Sequence, residues 1–284
     1  MNCFMFPGQP LSRSRSLPEN ETWRQIAELC QHHAQFDLDR WQWLVSDGTE
    51  NVALQVYGVA MSLYEARLLK QAGEEPGIVA EHSMGIYPAV ALCGSLPEEA
   101  VLEITSRGGR AMATMGNSCR YGLGCVVGLT VEPLRALAEN QGVYLANHNT
   151  DRHFLLAGER DRIMNALTEA LACGAFSANF FPCDAPLHTP LMEEMETELR
   201  QVFSGYDYRD PVIPLMNHID QTFLSGRELA EFMYRELLLP VQWERTYRAL
   251  RKAGVTSFLE VGDGDSLKKY NRWLDSQVPG TEPP

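Results

Sequence analysis

The sequence predicts an α/β protein in which a larger unit is interrupted by a smaller one of its own pattern. Two observations carry this. Apolar runs such as "CFMF" (Cys3–Phe6) and "GIVAEHS" (Gly77–Ser83) are each short, bounded by turn residues, and separated by helix-period stretches. From Gly122 to about Asp184 the order changes to strand, helix, strand, strand, helix, strand. That β-α-β-β-α-β order is the pattern of a ferredoxin-like unit. The reading is therefore a large subdomain over residues 1–121 and 189–284 and a small one over 122–188.

The elements follow in order. "CFMF" reads as a buried strand stopped by Pro7-Gly8, and helical spacing runs imperfectly from Glu21 to about Leu44. Asn51 to Gly73 is a stronger helix with Gly73 as its stop. "PGIVAEHS" gives a strand, a turn at Ser83 and a helix through Ala91. The next helix begins in "SLPEEAV", with Ser95 as its cap and Pro97 in its first turn. In the small unit "LGCVVGL", "VYLANHN", "HFLLAGE" and "FSANFFP" are strands; "TVEPLRALAEN" and "RDRIMNALTEALACG" are helices. Helices resume at Pro190, with "VIPLMNHID" and "SFLEVG" as the last strands and a loose polar tail, "SQVPGTEPP".

The totals exclude several functions. A formal charge of −13 argues against nonspecific nucleic-acid binding, which needs basic surface to displace counterions. No run of about 18 apolar residues suggests a membrane span, and the N-terminus does not read as a secretory signal. Seven scattered cysteines without a CxxC pair fit free thiols in a reducing cytoplasm. No histidine sits in metal-ligand spacing with cysteine or carboxylate partners, so no metal is expected.

Chemistry concentrates at "VAEHSMGIYPAVA" (Val79–Ala91). A serine at a strand-to-helix turn is held out of the backbone, with helix N–H groups behind it that can stabilise an oxyanion. The same letters also describe an ordinary N-cap serine. A serine nucleophile needs a base, and His188, in the Pro-bracketed loop "CDAPLHTPLM", stands where a loop histidine could reach it.

The chain resembles the malonyl-CoA:acyl-carrier-protein transacylase family of fatty-acid and polyketide synthesis. The resemblance runs in order along nearly the whole chain: "FPGQ" (Phe6–Gln9), "HSMG" (His82–Gly85), "SRGGRAM" (Ser106–Met112), "ANHNTDRHFLLAG" (Ala146–Gly158), "APLHTPLM" (Ala185–Met192), "LMNHID" (Leu215–Asp220), "LLLPVQW" (Leu237–Trp243) and "FLEVGDGDSL" (Phe258–Leu267). It implies an α/β-hydrolase-like large domain with a parallel central sheet and the ferredoxin-like insert. It implies Ser83 as nucleophile, His188 as base, and the backbone N–H groups of Gln9 and Met84 as the oxyanion hole. Arg107 would pair with a malonyl carboxylate, with Arg110 as its rival, since a planar guanidinium binds a carboxylate through two parallel hydrogen bonds. The main-chain oxygen of Glu236 would orient the histidine, so that the identity of its side chain should matter little.

The implied reaction is ping-pong transfer from an acyl-CoA, malonyl-CoA first, to the phosphopantetheine thiol of an acyl carrier protein in the cytoplasm. It needs no cofactor beyond the CoA thioester, no metal, no nucleic acid and no membrane, and the family suggests a monomer. Carrier proteins of these systems are usually acidic, which makes Arg251, Lys252, Lys268, Lys269 and Arg272 docking candidates. Two other readings stand beside it: a hydrolase clearing acyl groups from carrier proteins, and a catalytically weak binding protein with a decayed elbow. The chain departs from the family at Glu81, where a small residue is usual, at Pro10 and at Ile86; a bulky Leu187 would narrow the pocket. Glu81 must point outward or be paired.

Overall fold

The computed structural model describes residues 1–10, 16–39, 51–116 and 120–277. The "SRSR" cluster, most of the tail and the far end of the first helical stretch lie outside them. The first sheet takes β1 (Asn2–Phe6), β2 (Ile78–Glu81), β7 (Leu215–Met216) and β8 (Ser257–Glu260) in the order β7-β2-β1-β8, every pair parallel. Its strands are too short to show alternation, and β2 is buried at all four positions. That is what a parallel strand covered by helices on both faces requires.

Helices α1 (Glu21–Leu29), α2 (Asn51–Gln71), α3 (Ile86–Leu92) and α4 (Glu98–Ala113) share one apolar core with β1 and β2. Asn20 caps α1, accepting from the Trp23 N–H at 3.0 Å, but the helix widens into a π turn at Cys30–Ala34. The cap of α4 is a correction: Pro97, in extended conformation, stands at that position, and Ser95 lies buried before it. Proline at this point excludes Ser95 from the first turn, because the chain must stay extended until Glu98.

The second sheet is antiparallel. It holds β3 (Tyr121–Val127), β4 (Tyr144–Thr150), β5 (His153–Glu159) and β6 (Ser177–Cys183) in the order β4-β5-β3-β6. With α5 (Val131–Gln141) and α6 (Arg160–Ala172) packed on it around Leu134, Phe154, Ile163 and Leu167, this is the ferredoxin-like arrangement. The chain returns through α7 (Glu196–Phe203), α8 (Gly226–Leu238), α9 (Trp243–Lys252) and α10 (Ser266–Ser276). A backbone seam joins the edge strand β4 to the loop between α8 and α9. His148 N–H donates to the Val241 carbonyl at 2.8 Å, and Val241 N–H donates to Ala146 at 2.9 Å.

Gly85 fixes how closely the turn after β2 approaches β1. A Cβ there would come within 2.3 Å of the Phe6 carbonyl oxygen, a backbone atom that cannot step aside. Gly85→Ala should therefore destabilise the fold by about 1–3 kcal/mol, the usual cost of overpacking. Urea denaturation measures it, and an unchanged midpoint would mean the approach is looser than described.

Candidate active site

β2 ends at Glu81, and His82 is still extended, its N–H donating to the Phe6 carbonyl at 3.0 Å. Ser83 then adopts φ +57°, a left-handed conformation rare for a residue with a Cβ, and opens the turn Ser83–Gly85 that leads into α3. Such a position costs on the order of 1–3 kcal/mol and persists where surrounding packing imposes it. His188 shares the feature, with φ +61°.

The two side chains meet. Ser83 Oγ lies 2.7 Å from His188 Nε2, and His188 Nδ1 lies 2.7 Å from the main-chain oxygen of Glu236. The carbonyl is an acceptor only, so Nδ1 carries the proton and Nε2 is left to accept from the serine hydroxyl. The sequence explains why that carbonyl is available. Glu236 lies in the last turn of α8, and its helical partner would be the N–H of residue 240, which is Pro240. The neighbouring Leu237 carbonyl accepts the His188 N–H at 2.7 Å. Two orphan carbonyls of one helix end thus set both the ring and the backbone of His188. A capping box between Ser225 and Glu228 anchors the other end of α8.

Gln9 and Met84 lie on the two segments that meet at the elbow. A Cβ on Gly8 would come within 2.9 Å of His82 Nδ1, so the loop after β1 passes directly over the turn. The Gln9 side chain accepts from Gln55 Nε2 at 3.1 Å, which ties that loop to α2. His82, next to the serine in sequence, points away from it. Its Nε2 faces Asn149 Oδ1 at 2.9 Å, and Asn149 Nδ2 reaches His153 Nδ1 at 3.1 Å, so the chain of contacts runs into the second sheet.

Arg107 lies on α4. It stands on the outer face of α4 with its side chain 46% exposed, donating to Tyr206 Oη at 3.0 Å and Glu103 at 3.3 Å. Among the described residues no hydrogen bond or ion pair joins it to Ser83 or His188. The rival Arg110 is also exposed, donating to Ser106 Oγ at 3.2 Å and lying over the Phe36 ring. The inward face of the helix at this level belongs to Gly108, Gly109 and Met112.

Glu81 is paired rather than outward. It is wholly buried and accepts from His218 Nδ1 at 2.8 Å and from the His218 backbone N–H at 3.0 Å. The Glu236 side chain is buried as well, 1% exposed, and its carboxyl is held up chiefly by burial and also by the charge of Glu81. Donor atoms of His188, His218 and Glu236 lie within 4.8 Å of one another, a grouping that sequence spacing did not reveal. Both nitrogens of His188 are already engaged, which favours a hydrogen-bonded cluster over a metal centre.

The profile of the acyl transferase domain family matches residues 25–263. The chain belongs to that family. ThaF, a polyketide biosynthesis protein of Burkholderia thailandensis, is 28% identical over 228 residues, 79% of this chain but 19% of ThaF. The malonyl CoA-acyl carrier protein transacylase of Escherichia coli K12 is 24% identical over 278 residues, 93% of this chain and 90% of that protein. The solved acyl-carrier-protein S-malonyltransferase of Burkholderia pseudomallei superposes with a TM-score of 0.87 at 26% identity, covering 97% of this chain and 93% of that one. Within an acyltransferase fold the Ser83–His188 pair has the geometry of an activated nucleophile. No helix of the described residues is long and apolar enough to cross a membrane.

Burial holds four histidines neutral. His82 and His153 are lowered to about 4, and His188 and His218 to about 3, chiefly by desolvation. In the unfolded chain each would titrate near 6.5. Their stabilisation is present above about pH 6.5 and is lost as pH falls, because the unfolded state takes up protons first. Glu81, Glu236 and Glu260, raised by burial, act in the opposite sense, but they are three against four. Stability should fall below about pH 6.5 by about 1.4 kcal/mol per pH unit for each uncompensated imidazole. Thermal midpoints from pH 7 to 5 test this, and a constant or rising midpoint on acidification would contradict it.

Proposed function

We propose that the protein transfers an acyl group, malonyl first among candidates, from coenzyme A to the phosphopantetheine thiol of an acyl carrier protein. The observation that carries this reading is the Ser83–His188–Glu236 carbonyl alignment in a chain of the acyl transferase domain family. The names of the transacylase relatives support the donor and the acceptor.

In the first half-reaction Ser83 Oγ attacks the thioester carbonyl while His188 Nε2 takes its proton. The oxyanion forms against the backbone N–H groups of Gln9 and Met84. The C–S bond breaks, and His188 returns the proton to the departing thiolate. In the second half the carrier thiol gives its proton to His188 and attacks the seryl ester, and Ser83 leaves with that proton. No cofactor takes part in these steps. The carrier would dock on the exposed ends of α9 and α10, where Arg251, Lys252, Lys268 and Arg272 face solvent; Lys269 is held by Asp265 at 2.7 Å. The reading treats residues 122–188 as the small subdomain and 1–121 with 189–284 as the large one, working as a monomer in the cytoplasm.

The second reading is a hydrolase that clears acyl groups from carrier proteins by letting water attack the same seryl ester; an Arg107 charge left unpaired beside an apolar chain speaks against it.

Intact-protein mass spectrometry after mixing with a panel of acyl-CoAs separates the two. Transfer predicts a malonyl adduct on Ser83 that discharges onto added holo carrier protein and is absent in Ser83→Ala; persistence of the adduct in that variant would sink the nucleophile assignment. An adduct from uncharged donors alone, lost to water, would select the hydrolase. Arg107→Ala should lose malonyl loading while sparing or improving acetyl loading, since a guanidinium that pairs with the free carboxylate serves malonyl alone. Equal loss on both donors would remove that role.

A further inference from the structure

The elbow departs from small residues at Glu81, and the departure has companions. The Glu81 oxygens lie 2.8 and 2.9 Å from His218 Nδ1, and the carboxylate also takes the backbone N–H of His218 at 3.0 Å. His218 stands edge-on to His188, with ring centroids 6.2 Å apart and planes at 83°. Its Nε2 is buried without a hydrogen-bond partner, and so is Glu236 Oε2. One polar atom from each of His188, His218 and Glu236 lies within 4.8 Å of the others.

The protons can be assigned. Burial opposes every charge in this cluster, raising both carboxyls and lowering both imidazoles. Glu81 accepts two N–H groups, the ring and backbone donors of His218, so it keeps the negative charge. Glu236 Oε2 accepts none, so this carboxyl keeps its proton. His218 donates Nδ1–H to Glu81, which leaves its Nε2 a buried acceptor in the same cluster as Glu236. Passing one proton from Glu236 to His218 Nε2, and one from His218 Nδ1 to Glu81, moves the charge to Glu236 and leaves the sum unchanged.

We infer that Glu81, His218 and Glu236 are positioning residues that share one negative charge beside His188 and stabilise the imidazolium formed when Ser83 loses its proton. The inference rests on the Ser83–His188 reading above. During attack the serine proton goes to His188 Nε2, Nδ1–H stays on the Glu236 carbonyl, and the cluster neither gains nor loses a proton. The other groups facing His188 do not supply that charge: His82, from the elbow, is neutral and held by Asn149. Asp184 lies in the loop of His188 itself, and Asp220 acts on His218 from the far side and is held by Asn217 and Thr222.

The test is the rate at which a fluorophosphonate, which labels an activated serine whatever its natural acyl donor, modifies Ser83 at about pH 7.5, where His188 is neutral before attack. Glu81→Gln and Glu236→Gln keep side-chain volume, and the second keeps the orienting carbonyl. Each alone should slow labelling by less than about threefold, because the remaining carboxylate takes up the charge. The double variant should slow it far more than the product of the two, by about tenfold or more, since the charge that faces the imidazolium is removed. If the double variant does not fold, Glu81→Gln with Glu236→Leu, which removes both carboxyls and leaves no second buried amide, should slow labelling as much. A double effect equal to the product of the singles overturns the sharing. Unchanged labelling with only a lower thermal midpoint reduces the cluster to scaffolding. Failure of the wild-type protein to label at Ser83, judged against Ser83→Ala, removes the site reading itself and the inference with it.

Discussion

The contact on which the site depends is the buried carboxylate of Glu81. It lies where the strand gives way to the turn, takes the backbone N–H and the ring N–H of His218, and so joins β2 to the loop after β7. An ionised group in that position would be costly alone, and it is tolerable because two donors converge on it. A glycine-type elbow relieves crowding by having no side chain. This elbow fills the space and satisfies what fills it. Around that one placement stand Ser83 in its left-handed conformation, the close approach of Gly85 to Phe6 and the edge-on meeting of His218 with His188.

α8 supplies the complementary constraint. Pro240 removes the donor that would have consumed the Glu236 carbonyl, and the helix end turns that deficit into an acceptor for His188 Nδ1. The side chain of the same residue faces the opposite way in its consequences, since it is buried with a carboxyl that no hydrogen bond satisfies at Oε2. One position thus orients the base through its backbone and alters the surrounding charge through its side chain.

Much of this was legible in the sequence. The β-α-β-β-α-β order, the strand-to-helix turn at Ser83 and the meeting of Ser83 with His188 follow from local apolar period and from ordered motifs. What the sequence hid depends on rotation and on three-body contact. Arg107 and Arg110 are three residues apart on α4, and letters alone do not say which side chains each will meet: Arg107 donates to Tyr206 and Glu103, Arg110 to Ser106. Glu81 could be recognised as anomalous, but its partner His218 lies 137 residues away on another strand's exit, and no spacing rule joins them. Ser95 looked like a cap because caps are read from composition, whereas Pro97 decides where the helix can begin.

The seam between β4 and the α8–α9 loop has its own consequence. Val241 is stitched to Ala146 and His148 by backbone hydrogen bonds on both sides, and Trp273 of α10 adds an indole hydrogen bond to Asp151 at 2.7 Å. Parts joined in this way do not swing like a lid. Their spacing is set by main chain, which tolerates sequence drift, so side chains around the site can change while the frame holding the reactive atoms stays as it is. Diversification in such a scaffold costs no hinge and calls for no new motion.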